Sequence, residues 1–275
     1  MACSIRLALH LPASRARREK LFPRLFQIAA ENGIAGVEFP ASQFIFDRDD
    51  SGGTADLQED LKKNRLAFVG LHSLFEPHPS LSLFGGEGTI KQARESVRSN
   101  IKLCQELGGN IVTVGSPDAR RFASVLKPDA AMQMAVDFFQ SLIPICESRG
   151  VTLAVDILPP HETDFATSLQ DGKRLVKAVG HTRFRMAFNM ACWSASGESF
   201  GGLAGKYLPY LAHIHMPRFE GAQFQLGGVG PAMVRGQELA AAGYRGWVSL
   251  QATESLLRDE TLLVQCLQRF RRWLE

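Results

Sequence analysis

The feature that most constrains this chain is a recurrence. An amphipathic helical stretch ends at a glycine, and a short apolar or β-branched run begins within a few positions. Gly33, Gly108, Gly150, Gly180 and Gly243 each stand where such a helix should stop, because glycine accepts the left-handed backbone that closes a helix C-terminus. The runs that follow them are residues 36–39, 111–115, 151–156, 184–189 and 247–251. Three more, at 5–10, 66–72 and 211–216, bring the predicted strands to eight. Helical stripes fill the gaps: Ile90, Ala93, Val97, Ile101 and Cys104; then Ala131, Ala135, Phe138, Leu142 and Ile145 after a cap expected at Asp129; and last Leu263, Cys266, Leu267, Phe270 and Trp273. Strand and helix alternating eight times within 275 residues is the arithmetic of an α/β fold, the (β/α)8 or TIM barrel. No linker or shift in composition divides the chain, so residues 1–275 are expected to form a single domain. An open doubly wound sheet usually announces a dinucleotide with a GxGxxG turn after an early strand, and the sequence has none.

A barrel makes a demand on parity, because strand side chains alternate faces. One set must lie under the helices and the other must fill the barrel. Ile5/Leu7/Leu9, Val69/Leu71, Val112/Val114, Val151/Leu153/Val155, Met186/Phe188 and Val248/Leu250 are the expected outward sets. The alternate positions are smaller or more polar, and the last inward residue of each strand belongs at the C-terminal mouth, where barrel enzymes keep their chemistry. That ring reads His10, Glu38, His72, Gly115, Asp156, Asn189, His215 and Gln251. Seven of the eight are polar, which core filling does not require and a binding site does. His213 shares a face with His215 but lies deeper, and is expected to be a satisfied core histidine.

Composition narrows the function classes. A formal net charge of +3 is too small to argue for nucleic acid, and the cluster Arg15, Arg17, Arg18, Lys20 and Arg24 reads as a solvated helix face. Apolar runs stay short of membrane-spanning length. The arginines follow the first apolar patch, the wrong order for a secretory leader. The five cysteines, Cys3, Cys104, Cys146, Cys192 and Cys266, are widely spaced with no CxxC, and read as free thiols in a cytoplasmic protein. The partner expected is a small molecule, with neither nucleic acid nor membrane; a homo-oligomer is compatible with the sequence.

Gly36-Val-Glu38, the Leu71-His72 strand end, Asp156 with its polar loop, Asn189-x-x-Cys192, His213-Ile-His215 and the run Gly243 to Gln251 together resemble the xylose isomerase-like barrels, the superfamily of sugar and sugar-phosphate isomerases and epimerases. The likeness spans essentially the whole chain. It implies a divalent metal (Mn, Mg, Zn or Co) at the mouth, held by Asp156, Asn189, His215 and Gln251. The family pattern there is Glu, Asp, His and Glu, so one carboxylate survives and two positions are neutral amides. Hard cations are held by carboxylate charge, so metal binding is expected to be weak or absent.

The resemblance implies proton transfer next to a carbonyl on a small polyhydroxy, sugar-like substrate, with Asp156, Gln251 and Glu38 as the catalytic candidates. Gln251 cannot accept a proton, so a second acid or base has to come from elsewhere; Glu38, His72, His161 and Glu162 qualify by position. His10, His72, Cys192, Trp193 and Arg218 are the substrate-binding candidates, Cys192 standing where the family often has a histidine. The stretch 76–88 has the length and glycine content of a lid. The alternative is a barrel that binds a small polar ligand without catalysing the family reaction.

Overall fold

The alternation of apolar with small or polar residues becomes, in three dimensions, the two sides of a closed sheet. The computed structural model describes residues 5–12, 18–44, 51–122, 126–190, 205–217, 219–220, 223–224 and 236–275. Among these, β1 (Arg6–His10), β2 (Gly36–Pro40), β3 (Ala67–His72), β4 (Ile111–Val114), β5 (Thr152–Ile157), β6 (Phe184–Asn189), β7 (Leu211–Met216) and β10 (Trp247–Gln251) form a closed parallel barrel, with β10 beside β1. Between β7 and β10, β8 (Phe219–Glu220) and β9 (Gln223–Phe224) pair as a short antiparallel ribbon. The chain is thus a (β/α)8 TIM barrel.

The helices are α1 (Arg18–Glu31), α2 (Ser51–Lys63), α3 (Glu87–Glu106), α4 (Pro128–Gln140), α5 (Ile143–Arg149), α6 (Leu169–Val179), α7 (Gly236–Ala241), α8 (Glu254–Arg258) and α9 (Glu260–Trp273). None of them is long and apolar enough to cross a membrane. The five glycines expected to end helices all have positive φ, from 67° to 95°. One expected helix is two. α4 stops at Gln140 and α5 starts at Ile143, because Pro144 has no N–H to donate and its ring clashes with the carbonyl four residues back. Lys127 caps α4 and Pro128 opens it, leaving Asp129 in the first turn instead of at the cap.

The outer face of the sheet is the main core. Phe39 and Phe68 stack there at 5.2 Å, flanked by Phe22, Phe26 and Phe44, and each fully buried side chain of this size contributes roughly 2–3 kcal/mol. A separate small cluster, Ala8, Val69, Ile111 and Trp247, plugs the interior, with the Arg6 guanidinium 4.0 Å above the Trp247 ring.

Val69 was expected outside, under the helices, and the reason it is not is a β-bulge. Val37 pairs with Phe68 and Glu38 with Gly70, so Val69 is an extra residue in β3. Phe68 and His72 are four apart and would share one face of a regular strand. The bulge re-aims them: Phe68 packs on Phe39 in the outer core, and His72 stacks on His10 inside. A second irregularity, at Ala212 in β7, lies just before His213.

The stretch expected as a lid is docked. Leu81 and Leu83 are buried, Leu83 N–H donates to the Ala119 carbonyl at 2.9 Å, and Phe75 N–H donates to Ser116 Oγ at 3.2 Å. Its last two residues, Glu87 and Gly88, already belong to α3.

Backbone packing beside the bulge sets a test. A Cβ on Gly70 would lie 2.0 Å from the Ile111 carbonyl oxygen, whereas one on Gly88 meets nothing within 4 Å. Gly70→Ala is expected to lose about 3 kcal/mol or more in urea unfolding, as overpacking against backbone does. Gly88→Ala is expected to be neutral or to gain up to ~1 kcal/mol from reduced unfolded-state entropy.

Candidate active site

Strand register gathers the polar strand ends. His10 lies beside both Gln251 and Glu38, and His215 lies beside Asn189 on one side and Ser249 on the other. The centre is His215, only 1% exposed, with Glu38 at 3%. His215 Nε2 sits 3.3 Å from Glu38 Oε2. Glu38 Oε1 accepts a 2.5 Å hydrogen bond from Ser249 Oγ and also touches His213 Nε2, which itself lies 3.1 Å from the Ser249 hydroxyl. On the opposite edge of the His215 ring, Nδ1 faces Asp156 Oδ2 at 3.4 Å, within ion-pair range but without a hydrogen bond.

These contacts set the charge states. Burial alone would lower the His215 pKa, yet the Asp156 and Glu38 carboxylates outweigh it and raise it to about 10. Burial alone would raise Glu38, but His213 and His215 hold it well below the usual carboxylate range. His10 is pushed down to about 4 by burial and by the charge on His215. Burial, reinforced by His10, takes His72 well below the ordinary value. At neutral pH the His215 imidazolium therefore lies between the Glu38 and Asp156 carboxylates, beside the neutral His10 and His72 rings.

The neutral pair is stacked, with ring centroids 3.6 Å apart and planes at 17°. Ser73 fixes His72 through a 3.0 Å contact between its Oγ and His72 Nδ1. Ser73 has φ 51°, a left-handed backbone that a non-glycine residue adopts only where surroundings impose it.

Asp156 is anchored from behind. Arg120, wholly buried in the 3₁₀ turn Asp118–Arg120 after β4, donates from Nη1 to the Asp156 backbone carbonyl at 2.7 Å. Gly115 leaves the carboxylate its room, since a Cβ there would lie 3.3 Å from Asp156 Oδ2. Asp156 Oδ1 is buried with no hydrogen-bond partner. Nearby, Asn189 Nδ2 donates to Gln251 Oε1 at 3.4 Å.

The barrel thus brings His10, Glu38, His72, Asp156, Asn189, His215 and Gln251 to its C-terminal end. Cys192, Trp193 and Arg218 lie outside the described residues. Exposed at the surface, His161 and Glu162 face each other at 3.8 Å. His213 is fully buried with Nε2 against Ser249 and Glu38, whereas its Nδ1 is buried without a hydrogen-bond partner, so the satisfied core histidine expected is only half met. The sequence reading missed Ser249, Ser73 and Arg120. Ser249 had a signal, being two residues before Gln251 on the same face; a loop arginine gives none. Donor atoms of His10, Glu38 and His215 all lie within 4.8 Å of one another, a grouping able to hold a metal ion.

The profile of the xylose isomerase-like TIM barrel family matches residues 26–273. No curated protein matches the chain. Among solved structures, it is similar to a D-psicose 3-epimerase from Clostridium cellulolyticum H10 crystallised with D-tagatose (17% identity, TM-score 0.77, covering 98% of this chain and 100% of that one). It is likewise similar to an L-ribulose 3-epimerase (16%, 0.78, 98% and 94%) and to an AP endonuclease of family 2 from Brucella melitensis (18%, 0.67, 90% and 92%). Likeness at such identities establishes the fold and leaves the reaction to the site.

A linkage prediction follows from the His215 shift. Its folded pKa, about 10, is above the ordinary 6.5, so the stability it contributes is fully present below pH 6.5 and is lost as pH rises through 10. Metal-free protein is expected to show a Tm that falls over that window. His215→Gln should start from a lower Tm and lack that part of the slope.

Proposed function

This chain belongs to the xylose isomerase-like TIM barrel family, and on that premise we propose that it acts on a small polyhydroxy carbonyl compound, moving a proton at the carbon next to the carbonyl. The observation that carries this reading is Asp156 Oδ1, a buried carboxylate oxygen without a hydrogen-bond partner. An unmet buried acceptor costs ~1–3 kcal/mol, more when charged, and a ligand at the barrel mouth removes that cost.

Asp156 is the base. Its Oδ2 faces His215 and its backbone is held by Arg120, so the carboxylate is aimed before substrate arrives. The C–H proton passes to Asp156 Oδ1, the C–H electron pair forms the enediolate double bond, and the carbonyl oxygen takes up negative charge. N–H groups of Gln251 and Asn189 supply neutral donors for that oxygen. Return of a proton to the same carbon from the opposite face, supplied by solvent at the mouth, completes an epimerisation. Return from Asp156 to the neighbouring carbon, with the hydroxyl proton passing to the former carbonyl oxygen, completes an isomerisation. Glu38 acts as a positioning residue that keeps His215 charged and in place. The stacked His10–His72 pair is a substrate-binding wall, and Cys192, Trp193 and Arg218 complete the proposed substrate set from their places in the sequence.

The divalent metal implied by the family fits the ring of Asp156, Asn189, His215 and Gln251 poorly. Gln251 Oε1 already accepts from Asn189, and Asp156 is the one carboxylate among the four. Two neutral amides and a single carboxylate hold Mn²⁺ or Mg²⁺ weakly or not at all, and no step above is routed through a metal there. The same amide pairing supports a second reading, a barrel that binds a polar ligand without turning it over.

Ketopentoses and ketohexoses incubated with the protein in D₂O, followed by proton NMR, separate these readings. Solvent deuterium is expected to enter beside the carbonyl. Asp156→Asn should slow that exchange by ~10²-fold or more while binding changes only a few-fold. Binding without exchange assigns the ligand-binding role instead, and neither binding nor exchange contradicts both.

A further inference from the structure

The two edges of the His215 ring face different surroundings. The Nδ1 edge faces the Asp156 carboxylate at 3.4 Å. The Nε2 edge faces Glu38 at 3.3 Å, with His10 edge-on at 5.0 Å between ring centroids.

We propose that His10, Glu38 and His215 form a zinc-type site on the Nε2 edge of His215, distinct from the ligand ring of the family. Two imidazoles and one carboxylate are a donor set that holds zinc while leaving a fourth position open. Their donor atoms all lie within 4.8 Å of one another. Ligand atoms around tetrahedral zinc are roughly 3.4 Å apart, from Zn–N distances near 2.05 Å. The His215–Glu38 separation of 3.3 Å already meets that value. His10, half-buried at the end of β1, brings its donor nitrogen within the same 4.8 Å limit.

What surrounds the three donors strengthens the assignment, since metal ligands are held by hydrogen bonds from residues behind them. Glu38 Oε1 is held by Ser249 and His213, which leaves Oε2 as the donor. His215 Nδ1 faces the Asp156 carboxylate, the carboxylate–histidine–metal arrangement that fixes the ring and strengthens the opposite nitrogen as a ligand. His72 is stacked on His10 and fixed in turn by Ser73.

This assignment does not depend on the sugar reaction, and its test uses no sugar. Chelator-stripped protein is dialysed against Zn²⁺, its zinc content measured, and affinity read by competition with a chromophoric chelator; Co²⁺ is used in parallel for its visible absorption. The wild type is expected to take up one equivalent and to show the intense bands of tetrahedral cobalt. His10→Ala and Glu38→Gln should each weaken zinc binding by ~10²-fold or more, Asp156→Asn by ~10-fold, and Asn189→Ala or Gln251→Ala by less than 3-fold. Should Glu38→Gln fail to fold, His10→Ala, at a half-buried position, decides the matter. Zinc lost in Asn189→Ala and Gln251→Ala but kept in His10→Ala overturns the assignment in favour of the family ring. Absence of stoichiometric zinc in the folded wild type overturns it outright.

Discussion

An imidazolium buried between two carboxylates organises the mouth of this barrel. Glu38 from β2, Asp156 from β5 and His215 from β7 come from distant parts of the chain, with Ser249 and His213 behind Glu38 and Arg120 behind Asp156. A buried ion group of this kind is poor evidence for stability gained overall. Removing one partner is nonetheless costly, ~3–5 kcal/mol, because an uncompensated charge is left behind. The group therefore fixes the ends of β2, β5 and β7 relative to one another. Neutral His10 and His72 stack beside it, and the freed Asp156 Oδ1 is aimed by it.

The barrel was legible in the sequence for physical reasons. The glycines at helix ends, with φ from 67° to 95°, leave a mark because few other residues tolerate that backbone. Strand parity leaves one because the two faces of a barrel strand meet different environments. Those two signals placed seven polar residues at one end of the fold. Parity failed at Val69, where a bulge adds a residue without changing the pattern of residue types. The single helix expected across 131–145 failed because an apolar stripe continues through Pro144 even though the backbone does not. Arg120 was invisible for a related reason. Nothing in the local sequence distinguishes an arginine buried under a strand end from one in solvent, since its partner is a backbone carbonyl 36 residues away.

Charge is unevenly placed around the mouth. The ends of β6 and β10 carry amides, while β2 carries a carboxylate and β1 a histidine beside the same imidazole. A single histidine can serve either edge, but the hydrogen bond made by one nitrogen decides what the other can do. With Asp156 beside Nδ1, the Nε2 edge is the one a cation takes, displacing the Nε2 proton of the metal-free imidazolium, and Asp156 Oδ1 remains available to substrate.

The central claim is that His215 is held as an imidazolium by Glu38 and Asp156, and ring ¹⁵N chemical shifts of metal-free protein report it directly. At pH 8, between the ordinary histidine value of 6.5 and the raised value of about 10, both ring nitrogens of His215 are expected to carry protons, with His10 and His72 neutral in the same spectrum. A neutral His215 with a single protonated nitrogen at that pH would contradict the account.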